Sequence, residues 1–229
     1  MVKILLLIIY TPRFVYEQQM RELHRTALAK YQASSPEHTV TMYFVAYRDQ
    51  AEELVVEDDI IWVRGVESMT PGILDKTICA FKYCLQFDFD IMIRSTPATA
   101  IDFKNFPVGD IKSAYSSPCC LQIAPGWRDP PAHIVDDRFV GTRYAMGTAV
   151  ILSRAATKVL IEAEKPDVVD DVAFGLMLAP YVSVQQLPQK LVMAAENSGI
   201  FVRHRADLSD TVRTADVEAL RRTFERFAY

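Results

Sequence analysis

Strand-type runs and helix-type periodicities alternate along this 229-residue chain, and that alternation narrows the choice of fold more than any single motif. Ile4 to Ile9 is an unbroken run of β-formers; after the turn at Thr11-Pro12, Tyr16, Met20, Leu23, Ala27 and Tyr31 recur at helical spacing. His38 to Val45 alternates as a strand, and Ile60 to Val63 reads as a short buried one. Thr70-Pro71 then opens a helix, with Thr as N-cap, Pro at the first helical position, and Ile73, Leu74, Thr77, Ile78, Phe81 and Leu85 on one face. Ile91 to Arg94 is the next strand. Gly147 to Leu152 is a glycine-initiated buried strand, followed by a helix opened by Ser153 and a helix whose first turn carries Asp170 and Asp171. A last helix has Val217, Leu220, Phe224 and Phe227 on one face. Strands alternating with helices of this length predict an α/β fold of Rossmann-like type, a mostly parallel central sheet flanked by helices. Half of the residues are hydrophobic and no Ser/Gly-rich or Pro-rich linker divides them, so residues 1–229 are expected to form a single domain.

The net charge of −4 creates no general attraction to phosphodiester backbones. Only Arg203 to Arg205 and Arg221-Arg222 approach a basic patch, so no nucleic-acid partner is expected. The apolar start is too short to span a bilayer and has no small-residue cleavage site behind it; it reads as a first strand of a cytoplasmic protein without a membrane span. Cys79, Cys84, Cys119 and Cys120 form no C-x-x-C pair, and the adjacent Cys119 and Cys120 could bridge only through a strained ring, which fits a reducing compartment. His24, His38, His133 and His204 are scattered without zinc-ligand spacing.

In open α/β sheets ligands bind outside the carboxyl ends of the strands. Tyr10, Thr11, Pro12 and Arg13 follow the first strand, and Arg94, Ser95, Thr96, Pro97, Ala98 and Thr99 close the Ile91 strand. Neither turn is glycine-rich, and the chain has no G-x-G-x-x-G, Walker loop or G-x-S-x-G elbow. A bound phosphate would therefore rely on side chains, with Arg13, Lys76, Arg94 and the Arg203-His204-Arg205 cluster as the available cations. Asp88-Phe89-Asp90 is a literal D-x-D, but it precedes its strand and so reads as a solvated helix-to-strand turn rather than a metal site. Asp170 and Asp171 have two readings, a helix-capping pair or one cap beside a catalytic base, and Gly175, one turn after Asp171, would leave room for a ligand. Trp127, in P-G-W-R-D-P-P, either packs its loop or stacks on a sugar; Tyr144 either fills the core or touches an acceptor.

Four blocks, read together, carry a resemblance: P-G-I-L-D-K-T-I-C-A-F at Pro71 to Phe81, F-D-F-D-I-M-I-R-S-T at Phe87 to Thr96, Y-A-M-G-T-A-V-I-L-S at Tyr144 to Ser153, and D-D-V-A-F-G at Asp170 to Gly175. In order and spacing, over most of the chain, they resemble the inverting GT-A glycosyltransferases of the β-1,3-galactosyltransferase and Fringe kind, especially the compact forms encoded by large DNA viruses. The resemblance implies a single GT-A-like domain, in the host cytoplasm if viral. It would transfer a sugar from a nucleoside diphosphate donor, UDP-linked, to a hydroxyl of a glycan or glycoprotein acceptor. Asp171 would be the base, and Asp170, replacing the family's Glu, would orient the acceptor. Thr11, Arg13, Lys76, Arg94, Ser95, Thr96, Arg203, His204 and Arg205 are the candidate donor-binding residues, and Trp127, Tyr144, Gly147 and Gly175 the candidate acceptor-binding ones. Where the family has its metal-binding aspartates this chain reads Ser95-Thr96-Pro97-Ala98-Thr99, with no carboxylate for Mn²⁺ or Mg²⁺, which leaves a divalent cofactor open. Arg94 and the Arg203 cluster would then neutralise the leaving diphosphate. Two alternatives stand beside this reading: a non-catalytic nucleotide- or glycan-binding module of the same fold, and an unrelated nucleotide-binding α/β domain in which Asp171 only caps.

Overall fold

The computed structural model describes residues 1–34, 36–128, 137–193, 199–205 and 213–227, and the backbone alone of 129, 133 and 134. The chain runs through β1 (Val2–Ile9), α1 (Val15–Ala33), β2 (His38–Arg48), β3 (Leu54–Glu57), β4 (Ile60–Arg64), α2 (Gly72–Cys84), β5 (Ile91–Ser95) and β6 (Thr99–Ile101). It continues through β7 (Tyr115–Ser117), β8 (Cys120–Gln122), β9 (Arg128–Asp129), β10 (His133–Ile134), β11 (Arg143–Ala145), β12 (Ala149–Ser153), α3 (Arg154–Glu162) and α4 (Asp170–Leu178). The last elements are β13 (Gln185–Gln186), β14 (Leu191–Met193), β15 (Phe201–Arg203) and α5 (Thr214–Arg226).

An eight-stranded sheet in the order β13-β7-β12-β5-β1-β2-β4-β3 forms the middle layer. Its centre follows the hydrophobic pattern of β1: Leu5, Leu7 and Ile9 face one core and Ile4, Leu6, Ile8 and Tyr10 the other, because side chains alternate along a strand. The first core also holds Leu74, Ile78 and Phe81 of α2, Ala156 and Leu160 of α3, and Val172 and Phe174 of α4. The opposite core takes Tyr31 of α1 and is continued by a smaller cluster in which Tyr16 and Met20 of α1 meet Val217 and Leu220 of α5. Helices therefore cover both faces, as a strand buried on both sides requires.

The expectation of a mostly parallel sheet needs correction. β1 is parallel to β2 and β5, β2 to β4, and β7 to β13, but β12 runs antiparallel to both β5 and β7, and β3 antiparallel to β4. A parallel return needs a long crossover, usually helical. Between β7 and β12 the described chain makes the antiparallel pair β8–β11 and short turns, and re-enters the sheet from the same end that β7 leaves. A second, three-stranded sheet, β14-β15-β6, lies beside the β5 exit.

Two helix starts test the capping argument. Ser153 caps α3 as expected, accepting the Ala156 N–H at 3.2 Å. Thr70 does not cap α2: Pro71 takes the N-cap position after a cis peptide, and the Ser68 hydroxyl accepts the Gly72 N–H at 3.1 Å. Among the described residues no helix is long and apolar enough to cross a membrane.

Candidate functional site

Both polar ends of the peptide that leaves β1 are held by charges of opposite sign. The Tyr10 carbonyl accepts from Lys76 Nζ at 3.0 Å, and the Thr11 N–H donates to Glu17 Oε2 at 2.5 Å. Lys76, inaccessible on α2, is also clamped by both oxygens of Glu67 at 2.8 and 2.7 Å, on the segment that leaves β4. Burial lowers the Lys76 pKa, and Glu67 opposes that shift. Burial pushes the Glu17 carboxyl up to about 7, against the Thr11 N–H and the Lys76 charge. Glu17 and Glu67 escape a reading of the sequence because an acid in a first turn and an acid in a loop are ordinary surface features.

At the next parallel strand, Arg94 ends up buried in an ion pair with Asp170, and it also donates to the Gly147 carbonyl. The antiparallel direction of β12 makes this possible. Ala149 pairs with Ser95, so the turn that precedes β12 lies against the carboxyl end of β5. That turn is anchored by the Ala145 N–H on the Tyr115 hydroxyl (2.7 Å) and the Met146 N–H on the Cys119 carbonyl (2.9 Å). The Gly147 N–H then donates to Asp171 Oδ2 at 3.1 Å, while Asp171 Oδ1 accepts the Val172 N–H at 2.9 Å. Arg94, Gly147, Asp171 and Asp170 thus form a closed ring across β5, the β12 turn and the first turn of α4. A Cβ on Gly147 would stand 2.7 Å from Arg94 Nη1 and 3.4 Å from Asp171 Cβ, so a side chain there would push the Arg94 guanidinium out of the ring. Burial, then the charge of Asp170, raises the Asp171 carboxyl to about 6; the Gly147 and Val172 N–H groups and Arg94 hold it from going higher.

β15 brings in the last member. Arg203 pairs with Thr99 of β6, just beyond the β5 exit. Its Nη1 lies 3.7 Å from Met146 Sδ, and its Nε is buried with no hydrogen-bond partner among the described residues.

Several sequence expectations need correction. Arg94 is committed to Asp170 and the Gly147 carbonyl, and Lys76 to Glu67 and Tyr10, so neither charge is spare for a donor. His204 does not join the arginines: its Nε2 lies 2.9 Å from Thr223 Oγ1 on α5, deep in the smaller cluster. The Ser95 hydroxyl donates to the Thr148 carbonyl at 2.7 Å, and Thr96 shares a 3.0 Å bond with Thr99. Arg13 is exposed over the Phe14 ring, and Thr11 offers its N–H to Glu17 rather than outward. Gly175 leaves no room for a ligand, since a Cβ there would meet Tyr144 Cβ at 2.5 Å and the Arg143 carbonyl oxygen at 3.1 Å. Tyr144 is core, and half-buried Trp127 packs edge-on against it with ring centroids 6.4 Å apart; Pro130 and Pro131 of that loop lie outside the described residues. Asp88 and Asp90 sit at the amino end of the sheet, where both bind Lys3, as their position before the strand suggests.

Among the described residues, the side chains at the β5 exit offer no ligand set for Mn²⁺ or Mg²⁺. Asp170 is taken by Arg94, the neighbouring hydroxyls are bonded internally, and among the described residues no group of three His, Cys, Asp or Glu side chains is arranged around a common point. Scans of known protein-family models and of curated proteins both gave no match. What the geometry offers chemically is a half-buried carboxylate, ionised near neutral pH and more basic than an ordinary aspartate, in the field of Arg203, whose Nε makes no hydrogen bond among the described residues.

Proposed function

We propose that this protein is an inverting glycosyltransferase in which Asp171 is the general base. The observation that carries the reading is the ring at Asp171. Three of the four sequence blocks behind the resemblance, far apart along the chain, meet there through Arg94, Gly147 and the Asp170-Asp171 pair. In the proposed reaction an acceptor hydroxyl attacks the anomeric carbon of a nucleoside diphosphate sugar, UDP-linked, and gives its proton to Asp171. The new C–O bond forms as the bond from the anomeric carbon to the diphosphate oxygen breaks, and the diphosphate leaves with the electron pair. Attack from the face opposite the leaving group inverts the centre. Two backbone N–H groups fix the orientation of the Asp171 carboxylate, and burial raises its basicity, the combination a general base needs.

A second reading, a binding module without catalysis, is favoured by one observation: the Ser95 and Thr96 hydroxyls and the Arg94 cation at the β5 exit are engaged internally. Incubation with UDP-sugars and glycan acceptors, followed by product analysis, separates the two. Transfer by the wild type that is lost in Asp171→Asn supports the base assignment; nucleotide binding without transfer or hydrolysis supports the module.

A further inference from the structure

We propose that Arg203, assisted by Arg205, is a phosphate-ester binding site that receives the diphosphate of the donor. The inference rests on the transferase reading for the identity of the ligand, but not for the presence of an anion site. Four arginines converge around the ends of β5 and β15, and three have an evident arrangement. Arg94 is paired with Asp170, Arg213 with Asp216 at 2.8 Å, and Arg205 is exposed to solvent. Arg203 is the exception. Among the described residues its only polar contact is the Met146 thioether, a weak acceptor, and its Nε is buried and unbonded. Burial first, then the like charges of Arg205, Arg213 and Arg94, weakens its hold on its proton, and the negative charge of Asp171 opposes them.

A half-buried guanidinium whose Nε is shut away from water and unbonded costs stability unless something completes it. A phosphate does this best, because its oxygens match the planar fork of donors and supply the missing charge. The site also has space beside it. A groove of about 630 Å³, lined by Pro118, Cys119, Leu187, Pro188, Lys190 and Leu191, borders β14, the strand that pairs with the Arg203 strand. A phosphate on Arg203 would leave the group esterified to it room in this groove, while the carboxylate of Asp171 stays close to the bond that breaks.

The test is calorimetric binding of inorganic pyrophosphate and of UDP to wild type, Arg203→Gln, Arg203→Lys, Arg205→Gln and Asp171→Asn, with melting temperatures taken without ligand. Arg203→Gln should weaken pyrophosphate at least about tenfold, Arg205→Gln only about two- to threefold, and Arg203→Lys should retain part of the affinity. Without ligand, Arg203→Gln should melt no lower than wild type, since it removes a half-buried charge that no acid pairs among the described residues; a merely structural arginine would make it melt lower. Equal pyrophosphate affinity in Arg203→Gln, or none in the wild type, overturns the proposal. Pyrophosphate binding that depends on Arg203, survives in Asp171→Asn and occurs in a protein that transfers no sugar keeps this site and overturns the transferase reading instead.

Discussion

Asp171 and Glu17 are two carboxyls lifted toward neutrality by burial, and their roles differ because their neighbours do. Asp171 accepts the Gly147 N–H and lies in the field of Arg203 at the β5 exit, so its titration should appear in catalysis. With the base ionised only above its pKa, kcat/KM for transfer should rise with pH through about 6 and then level; an acid limb near the ordinary aspartate value would assign the proton elsewhere. Asp171→Asn should lower kcat about a thousandfold with the fold intact, as circular dichroism would verify. Glu17 holds backbone, so its titration should appear in stability. Its folded pKa, about 7, lies above the ordinary 4.5, so the native state prefers the protonated form. That stability is fully present below 4.5 and is lost as pH rises through 7. Glu17→Gln can still accept the Thr11 N–H and should match wild type in acid. Above neutrality it should exceed wild type by up to about 3 kcal/mol in urea unfolding, and no difference between the two pH regimes would refute the assignment. Asp170→Asn should act oppositely. It strands the Arg94 guanidinium in the core and should cost about 3 kcal/mol at neutral pH, measured the same way.

α4 is the element on which the site depends. No side chain caps it, since Val169 stands at the N-cap, and its two acids are turned to the ring instead. What holds it is packing: Val172, Ala173, Phe174 and Leu178 are buried in the first core, and Gly175 lets the helix approach β11 within backbone distance. Gly175→Ala should therefore destabilise by about 2–3 kcal/mol in chemical denaturation, because the methyl meets the Tyr144 Cβ and the Arg143 carbonyl rather than a flexible side-chain end. If Gly175 merely left space for a ligand, the same change would leave stability untouched. Read from the sequence, this glycine suggested open space; in the fold it marks contact. A glycine on a helix face has the same signature in both cases, and only the partner element decides between them.

Across the whole molecule, the two tryptophans report on opposite flanks of one sheet. Trp62 lies in β4 near one edge, and Trp127 packs on Tyr144, whose strand leads into β12. Both cores are built around β1, so both flanks should unfold together. Trp62→Phe and Trp127→Phe variants, each followed by fluorescence in urea, should give the same midpoint as far-UV circular dichroism. Separate midpoints would divide the chain into two folding units.

The sequence by itself determined the layers. The β1 run, the apolar faces of α1, α2 and α5, and the Ser153 cap are local patterns, set by a strand period of two and a helical period of about 3.6, and each appears where it was expected. It also placed Asp88 and Asp90 away from the carboxyl edge by their order relative to β5. Tertiary structure alone decided the direction of β12, and with it everything at the site. Strand direction depends on which end of the sheet the chain re-enters, a non-local property that no residue period encodes. Because β12 runs antiparallel, Gly147 meets Arg94 and Asp171, and Arg94 is consumed by Asp170; Arg203 comes from a strand that joins far later in the chain, its Nε unbonded among the described residues. The sequence could supply the charges, but only the pairing of strands could decide which of them cancel and which remain.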